Sequence, residues 1–216
     1  MIGFDEAGAA RTGADGATWS ITVAARDDVG DPAAVRVAWQ RDGARAALTL
    51  VPPDGAHRAW FDGVASLELR DVDGDGDGDG TDAAVLVLRW SRHSVVSLVT
   101  DGDDDEPAWI ATLEQAEQLY VVRATGGALE LAFTHLIAYT TSTDAAETVD
   151  RPTADVERVR YAYEITAGAV RLTRIEHEVA AAYRLPGVLD PARDPRFAAG
   201  AGSEVALARA SRSQVS

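Results

Sequence analysis

The residues whose types and spacing can do chemistry lie in one stretch, Asp71-Val72-Asp73-Gly74-Asp75-Gly76-Asp77-Gly78-Asp79-Gly80-Thr81-Asp82. Counted from Asp71, carboxylates fall at positions 1, 3, 5, 7, 9 and 12, namely Asp71, Asp73, Asp75, Asp77, Asp79 and Asp82, with Gly76 at position 6. Calcium takes roughly six to eight oxygen ligands at about 2.3–2.6 Å. A short loop delivers most of them only when carboxylates recur at every second position and glycine permits a sharp turn. The stretch meets both conditions and reproduces the Asp-x-Asp-x-Asp-Gly opening of an EF-hand-like loop, with Asp82 at the closing position. The competing reading is low-complexity Asp-Gly filler in a solvated loop. Neighbouring carboxylates about 5 Å apart repel by roughly 0.8 kcal/mol per pair even at the dielectric of water. A divalent cation removes that cost, although a loop that stays extended also lowers it.

The elements that must position this loop read as strands. Ser66-Leu67-Glu68-Leu69-Arg70 alternates, and Ala84-Val85-Leu86-Val87-Leu88-Arg89-Trp90 is a nearly continuous apolar run. An EF-hand proper has helices on both sides, so the expectation is calcium-loop geometry on a β scaffold. On these residues, Leu69 to Gly76 followed by Thr81 to Val87, the stretch resembles the calcium loop of FG-GAP and VCBS-type repeats. The resemblance covers residues 64–90 in a single copy. It implies a bound Ca2+, a structural role for the ion, and an exported bacterial protein. Two registers compete, Asp71, Asp73, Asp75 with Gly76, or Asp75, Asp77, Asp79 with Gly80. In the second, the acidic residue of the pattern falls on Ala83, and Asp82 is its nearest substitute. No second copy is visible, so a propeller of several blades is not expected.

Composition narrows the classes further. The chain has 216 residues, 46% of them hydrophobic, enough for one sizeable core. Its 20 basic residues, all arginine, stand against 35 acidic ones for a net charge of −15. That balance argues against nucleic acid as a partner, because binding there needs clustered cations on phosphates. The absence of cysteine excludes disulfides, thiolate metal sites and cysteine nucleophiles. No run approaches the roughly 18 consecutive apolar residues of a membrane span, and the start, Met1 to Glu6, carries no export signal. A loop of moderate calcium affinity is most useful where calcium is millimolar. The expected location is therefore extracellular or periplasmic, with any leader lying upstream or removed.

Along the chain, residues 1–17 read as a poorly ordered lead-in, 18–184 as a single β domain, and 185–216 as a Pro/Ala/Gly-rich tail with a short helix near Val205 to Ala210. Trp19 to Val23 and Val35 to Gln40 read as strands. Asp42-Gly43 is a hairpin signal before the returning strand Ala46 to Val51. Ser91-Arg92-His93 reads as a tight turn, so that Ser94 to Thr100 runs back toward the calcium loop and sets the second acidic cluster, Asp101 to Glu106, beside the first. Pro107 to Glu114 leans to strand. Gln118 to Arg123 and Leu129 to Thr134 flank a turn at Thr125-Gly126-Gly127. Thr140 to Asp155 reads as a long loop, and Val159 to Ile165 with Val170 to Ile175 as the last hairpin. The expected fold is all-β and antiparallel: a sandwich, an open barrel or propeller-like sheets, with the calcium loop between two strands.

Other chemistry is thin. His57, His93, His135 and His177 lack metal-ligand spacing, and His135, within an apolar run, reads as a half-buried core residue. Glu176-His177-Glu178 reads as a strand surface. Ser91 and His93 invite a triad reading, but no Gly-x-Ser-x-Gly elbow accompanies them. Trp19, Trp39, Trp60, Trp90 and Trp109 are expected mostly in the core, and any left exposed on a sheet would form a sugar-stacking platform. The leading expectation is a non-enzymatic, calcium-stabilised β domain of an exported or surface-associated protein. The alternatives are a carbohydrate-binding module using surface Trp, or a hydrolase with a loop-bound metal. Calcium is the expected partner, with a glycan or another surface protein as further candidates.

Overall fold

The computed structural model describes residues 9–23, 35–50, 60–72, 83–98, 108–145, 155–166, 168–179 and 203–207. These form eleven strands and, among the described residues, no helix. Strands β1 (Ala10–Thr12), β2 (Thr18–Val23), β3 (Val35–Arg41) and β4 (Ala44–Leu50) make a four-stranded antiparallel sheet in sequential order. The second sheet has seven strands: β5 (Trp60–Arg70), β6 (Ala83–Leu98), β7 (Ala108–Thr125), β8 (Ala128–Ala145), β9 (Asp155–Thr166), β10 (Ala169–Val179) and β11 (Ser203–Ala206). Every pairing is antiparallel between neighbours in sequence. The fold is all-β, as expected, and it is not closed into a barrel.

Two-residue turns set the tightest hairpins. Asp42 and Gly43 between β3 and β4 have φ of 50° and 83°, and Gly126 and Gly127 between β7 and β8 have φ of 58° and 82°. Positive φ at both central positions matches the right-handed twist of the flanking strands, which is why Asp-Gly and Gly-Gly occupy these sites.

The core is double. On one face of the large sheet Ala84, Leu86, Leu88 and Trp90 of β6 pack with Tyr120 and Val122 against Trp19, Ile21, Val35, Val37 and Leu50 of the small sheet. On the other face Ala83, Val85 and Val87 join Leu119, Val121, Phe133, Val159, Tyr161, Val170 and Leu172. The first half of β6 is thus buried on both sides, the physical reason its sequence is a continuous apolar run rather than an alternation.

The second core exists because the large sheet folds over on itself. β8 pairs with β9 only from Ala138↔Arg160 to Thr143↔Asp155, so the first half of β8 and the last half of β9 part company. Beyond the split, β9, β10 and β11 cross the face of β6 to β8. The turn between β9 and β10 then reaches the far edge of the sheet, where the Gly168 N–H donates to the Val72 carbonyl at 2.8 Å. Leu207, 3% exposed, closes the same corner and donates its N–H to the Gly168 carbonyl at 2.8 Å.

Several expectations are corrected. Ser91-Arg92-His93 is not a turn: β6 runs unbroken through it and pairs with β7 from Ala83↔Arg123 to Leu98↔Ala108. No glycine or proline breaks the strand there, and its polar groups find cross-strand partners, Ser91 Oγ donating to Asp62 at 2.9 Å and Arg92 to Glu114 at 2.6 Å. β7 is one strand rather than two, and β8 continues to Ala145, into the stretch expected as loop. Within the expected lead-in, Ala10–Thr12 pair with β2 as β1. In the expected tail, Ser203–Ala206 add to β10 as a strand where a helix was anticipated near Val205.

Candidate metal centre

The acidic loop springs from a rigid stem. Arg70 pairs with Ala83 as the last rung between β5 and β6, so the twelve residues 71–82 form the connection. A tight hairpin needs only about two to five. The entry to the loop is fixed at its second residue. Val72 is fully buried in the second core, and its carbonyl takes the Gly168 hydrogen bond. Asp71 beside it is exposed. Asp73, Asp75, Asp77, Asp79 and Asp82 lie outside the described residues, and among those described no group of three or more His, Asp or Glu gathers as for a metal.

The stem continues into a charged row. Ala83 pairs with Arg123, which stands opposite Glu130. Arg123 is 5% exposed, so a buried cation lies one strand from the end of the loop. The sequence reading missed Val72, Gly168 and Arg123. Val72 did carry a signal, as the sole large apolar side chain in an acidic, glycine-punctuated run. Arg123 and Gly168 carried none, because their roles come from strands far away in sequence.

The second acidic cluster stands, in the sequence, at the other end of β6 from the first. It follows Leu98, the far end of β6, whereas the first loop precedes Ala83. At about 3.3 Å per residue the ends of β6 are about 50 Å apart. The expectation that Asp101 to Glu106 lie beside the Asp71–Asp82 loop rested on a turn at Ser91-Arg92-His93, which the continuity of β6 removes. Residues 101–106 themselves lie outside the described residues.

Among the described side chains the remaining polar candidates meet structural partners, while His57 and the side chain of His177 lie outside the described residues. A shallow groove of about 390 Å³ crosses β6 to β9 and is lined by Asp62, Arg89, Glu117, Arg158 and Arg160 among others. Its charges face partners across the ladder: Arg89 Nε donates to Glu117 at 2.9 Å, and Arg158 and Arg160 stand opposite Glu178 and Glu176. Ser91 Oγ donates its hydrogen bond to Asp62, not to an imidazole. Loss of water around Asp62 pushes its carboxyl above the usual range, a rise the Ser91 hydrogen bond reduces. Burial likewise pushes the Tyr120 phenol far up, against a smaller opposing effect from Trp90. His135 is half-buried, as expected, edge-on to Tyr161 at 5.3 Å and beside Phe133 at 6.3 Å.

Trp19 and Trp90 are core residues, 0% and 2% exposed, and Trp39 packs partly buried at the edge of the first core. The tryptophans whose side chains are described thus form no exposed platform. No helix long and apolar enough to cross a membrane occurs among the described residues. Comparison with known protein families, with curated proteins and with solved structures found no match to this chain.

Proposed function

We propose that the chain is a non-enzymatic calcium-binding β domain of an exported or surface-associated bacterial protein, and that the ion is structural. The observation that carries this reading is the stem. Two paired strands are joined by twelve residues with five carboxylates at alternating spacing and a sixth at the closing position, and the second of those residues is anchored in the core. A solvated spacer needs no such anchor, whereas an ion site gains from one, because ligands held near their bound positions lose less freedom on binding. The ion would offset the repulsion within the loop and fasten the corner where Val72, Gly168 and Leu207 hold the fold-over in place. Millimolar calcium outside the cytoplasm suits such a site.

The test is thermal unfolding in chelator, in millimolar calcium and in millimolar magnesium. At free calcium a hundredfold above the dissociation constant the ion adds about 2.7 kcal/mol, a rise of about 5–10 °C for a chain of this size. Magnesium, which demands tighter octahedral geometry and sheds water reluctantly, should give little. Asp73→Ala combined with Asp75→Ala removes ligands from both registers and should abolish the shift. An unchanged melting temperature in calcium would defeat the reading.

A further inference from the structure

The outer face of the four-stranded sheet is a second surface with chemistry of its own. Val35, Val37 and Leu50 point into the first core, so alternation sends Arg36, Ala38 and Gln40 of β3 and Arg45, Ala47 and Thr49 of β4 outward. Register sets Thr18, Ser20 and Thr22 of β2 alongside them. The result is a shallow trough of about 280 Å³ whose floor is the small-residue row Ser20, Ala38, Ala47, with Gln40 and Arg45 at one end and Arg36 toward the other.

The charge on this face differs from the arginine–glutamate rungs of the large sheet. The two arginines face only uncharged groups across the ladder: Arg36 stands between Thr22 and Thr49, and Arg45 opposite Gln40. No carboxylate occurs on the outward positions of β2, β3 and β4 in a chain with 35 acidic residues. Both guanidiniums are exposed and make no ion pair among the described residues. Four residues separate Arg36 from Gln40, so the two arginines start about 13 Å apart along the strands.

We propose that this trough binds a short acidic oligosaccharide, its carboxylates taken by Arg36 and Arg45 and its hydroxyls by Thr18, Ser20, Thr22 and Gln40. A guanidinium forks onto a carboxylate with two parallel hydrogen bonds. Hydroxyl and amide side chains donate and accept, as sugar hydroxyls do, and a floor of serine and alanine lets a ring lie close to the sheet. The net charge of −15 does not forbid this. Charges farther than about 8–10 Å are screened at physiological salt, and the outward positions of β2, β3 and β4 carry no acid. A uronate chain carries about one charge per sugar, which two arginines match, whereas nucleic acid presents about one per 1.7 Å of duplex. The proposal does not depend on calcium at residues 71–82.

The experiment is titration calorimetry of the full chain in chelator with a defined oligogalacturonate, its methyl ester and polyglutamate, plus sedimentation of the protein alone. Chelator removes any cation that could bridge carboxylates at the acidic loop. The expected result is binding of the oligogalacturonate alone, weakened at least about tenfold by Arg36→Ala with Arg45→Ala and unchanged by Arg171→Ala on the large sheet. Both trough arginines are exposed and make no ion pair among the described residues, so the double variant should melt with the wild type, and a melt that fell would send the test to Arg36→Gln and Arg45→Gln singly. No binding, binding indifferent to these substitutions, or equal affinity for polyglutamate would overturn the proposal. So would self-association of the protein that the substitutions abolish, which would make a second acidic copy the occupant.

Discussion

Six arginines of the large sheet and two on the outer face of the small sheet stand in opposite settings. In the large sheet, Arg89, Arg92, Arg123, Arg158, Arg160 and Arg171 each stand directly across from a glutamate: Glu117, Glu114, Glu130, Glu178, Glu176 and Glu164. In the small sheet, Arg36 and Arg45 stand across from threonine and glutamine. Cross-strand neighbours sit about 4.5–5.5 Å apart at Cβ, close enough for opposite charges to stabilise the pair. These six arginines of the large sheet thus face glutamates on their own ladder, whereas Arg36 and Arg45 on the outer face of the small sheet face none; Arg41, also on β3, meets Asp15 at 3.1 Å. A net charge describes neither arrangement.

The sharpest test of that contrast is Arg92. Its partner Glu114 is buried, with a side chain 7% exposed against 25% for Arg92, and the contact is 2.6 Å. Arg92→Ala leaves a carboxylate desolvated and without its cation, and should cost about 2–3 kcal/mol in urea unfolding at neutral pH. Arg36→Ala should stay within about 0.5 kcal/mol of wild type. Equal losses at the two positions would break the distinction between the sheets.

A second difference is how each sheet is held. The small sheet lays one face on a partner, whereas the large one is bent back and pinned at Val72. Val72→Ala removes two buried methyl groups at about 0.8 kcal/mol each, so about 1.5–2 kcal/mol is expected. Val37→Ala, equally buried in the other core, should cost a similar amount. Only Val72→Ala should also weaken the thermal response to calcium, since only it loosens the loop stem. If both variants keep the full response, the anchor and the loop are uncoupled.

The limits of sequence reading follow from the same geometry. The Asp42-Gly43 hairpin and the strands flanking the acidic loop were legible because their signals are local: turn chemistry within two residues, alternation within six. The carboxylate spacing from Asp71 to Asp82 was legible for the same reason. The course of β6 was not. Ser91-Arg92-His93 is polar, and polarity is also what a turn looks like until Asp62 and Glu114 are known to lie across from it. That one misreading brought Leu98 back toward Ala83, whereas the two stand at opposite ends of one strand. Strands β1 and β11 were equally hidden, being three and four residues long and stabilised by partners supplied from elsewhere in the chain.

Exposed pairs should matter less. Arg89 and Glu117 meet at 2.9 Å but are 58% and 34% exposed. Water screens such a pair, so Arg89→Ala should cost under about 1 kcal/mol, and less as salt rises. A loss as large as that of Arg92→Ala would mean that ladder position, not burial, sets the strength of these pairs.

The smallest expected effect comes from Asp62, a carboxylate at the edge of the large sheet with a hydroxyl rather than an arginine for its recorded hydrogen-bond partner. Desolvation raises its pKa above 3.8 in the folded protein, against the lowering effect of the Ser91 hydrogen bond. The folded state therefore holds this proton more tightly than the unfolded chain does. The stability that the proton contributes is fully present below the unfolded value of 3.8 and is lost as pH rises through the higher folded value. At neutral pH the ionised carboxylate is a liability relative to an uncharged group of the same shape. Asp62→Asn keeps an oxygen to accept from Ser91 and removes the charge. It should raise the melting temperature slightly at pH 7, and the gain should vanish as pH falls below 3.8. A variant less stable than wild type at pH 7 would show that the charge-assisted bond from Ser91 outweighs desolvation, and that even an acid with no arginine partner among the described residues is held by more than its burial suggests.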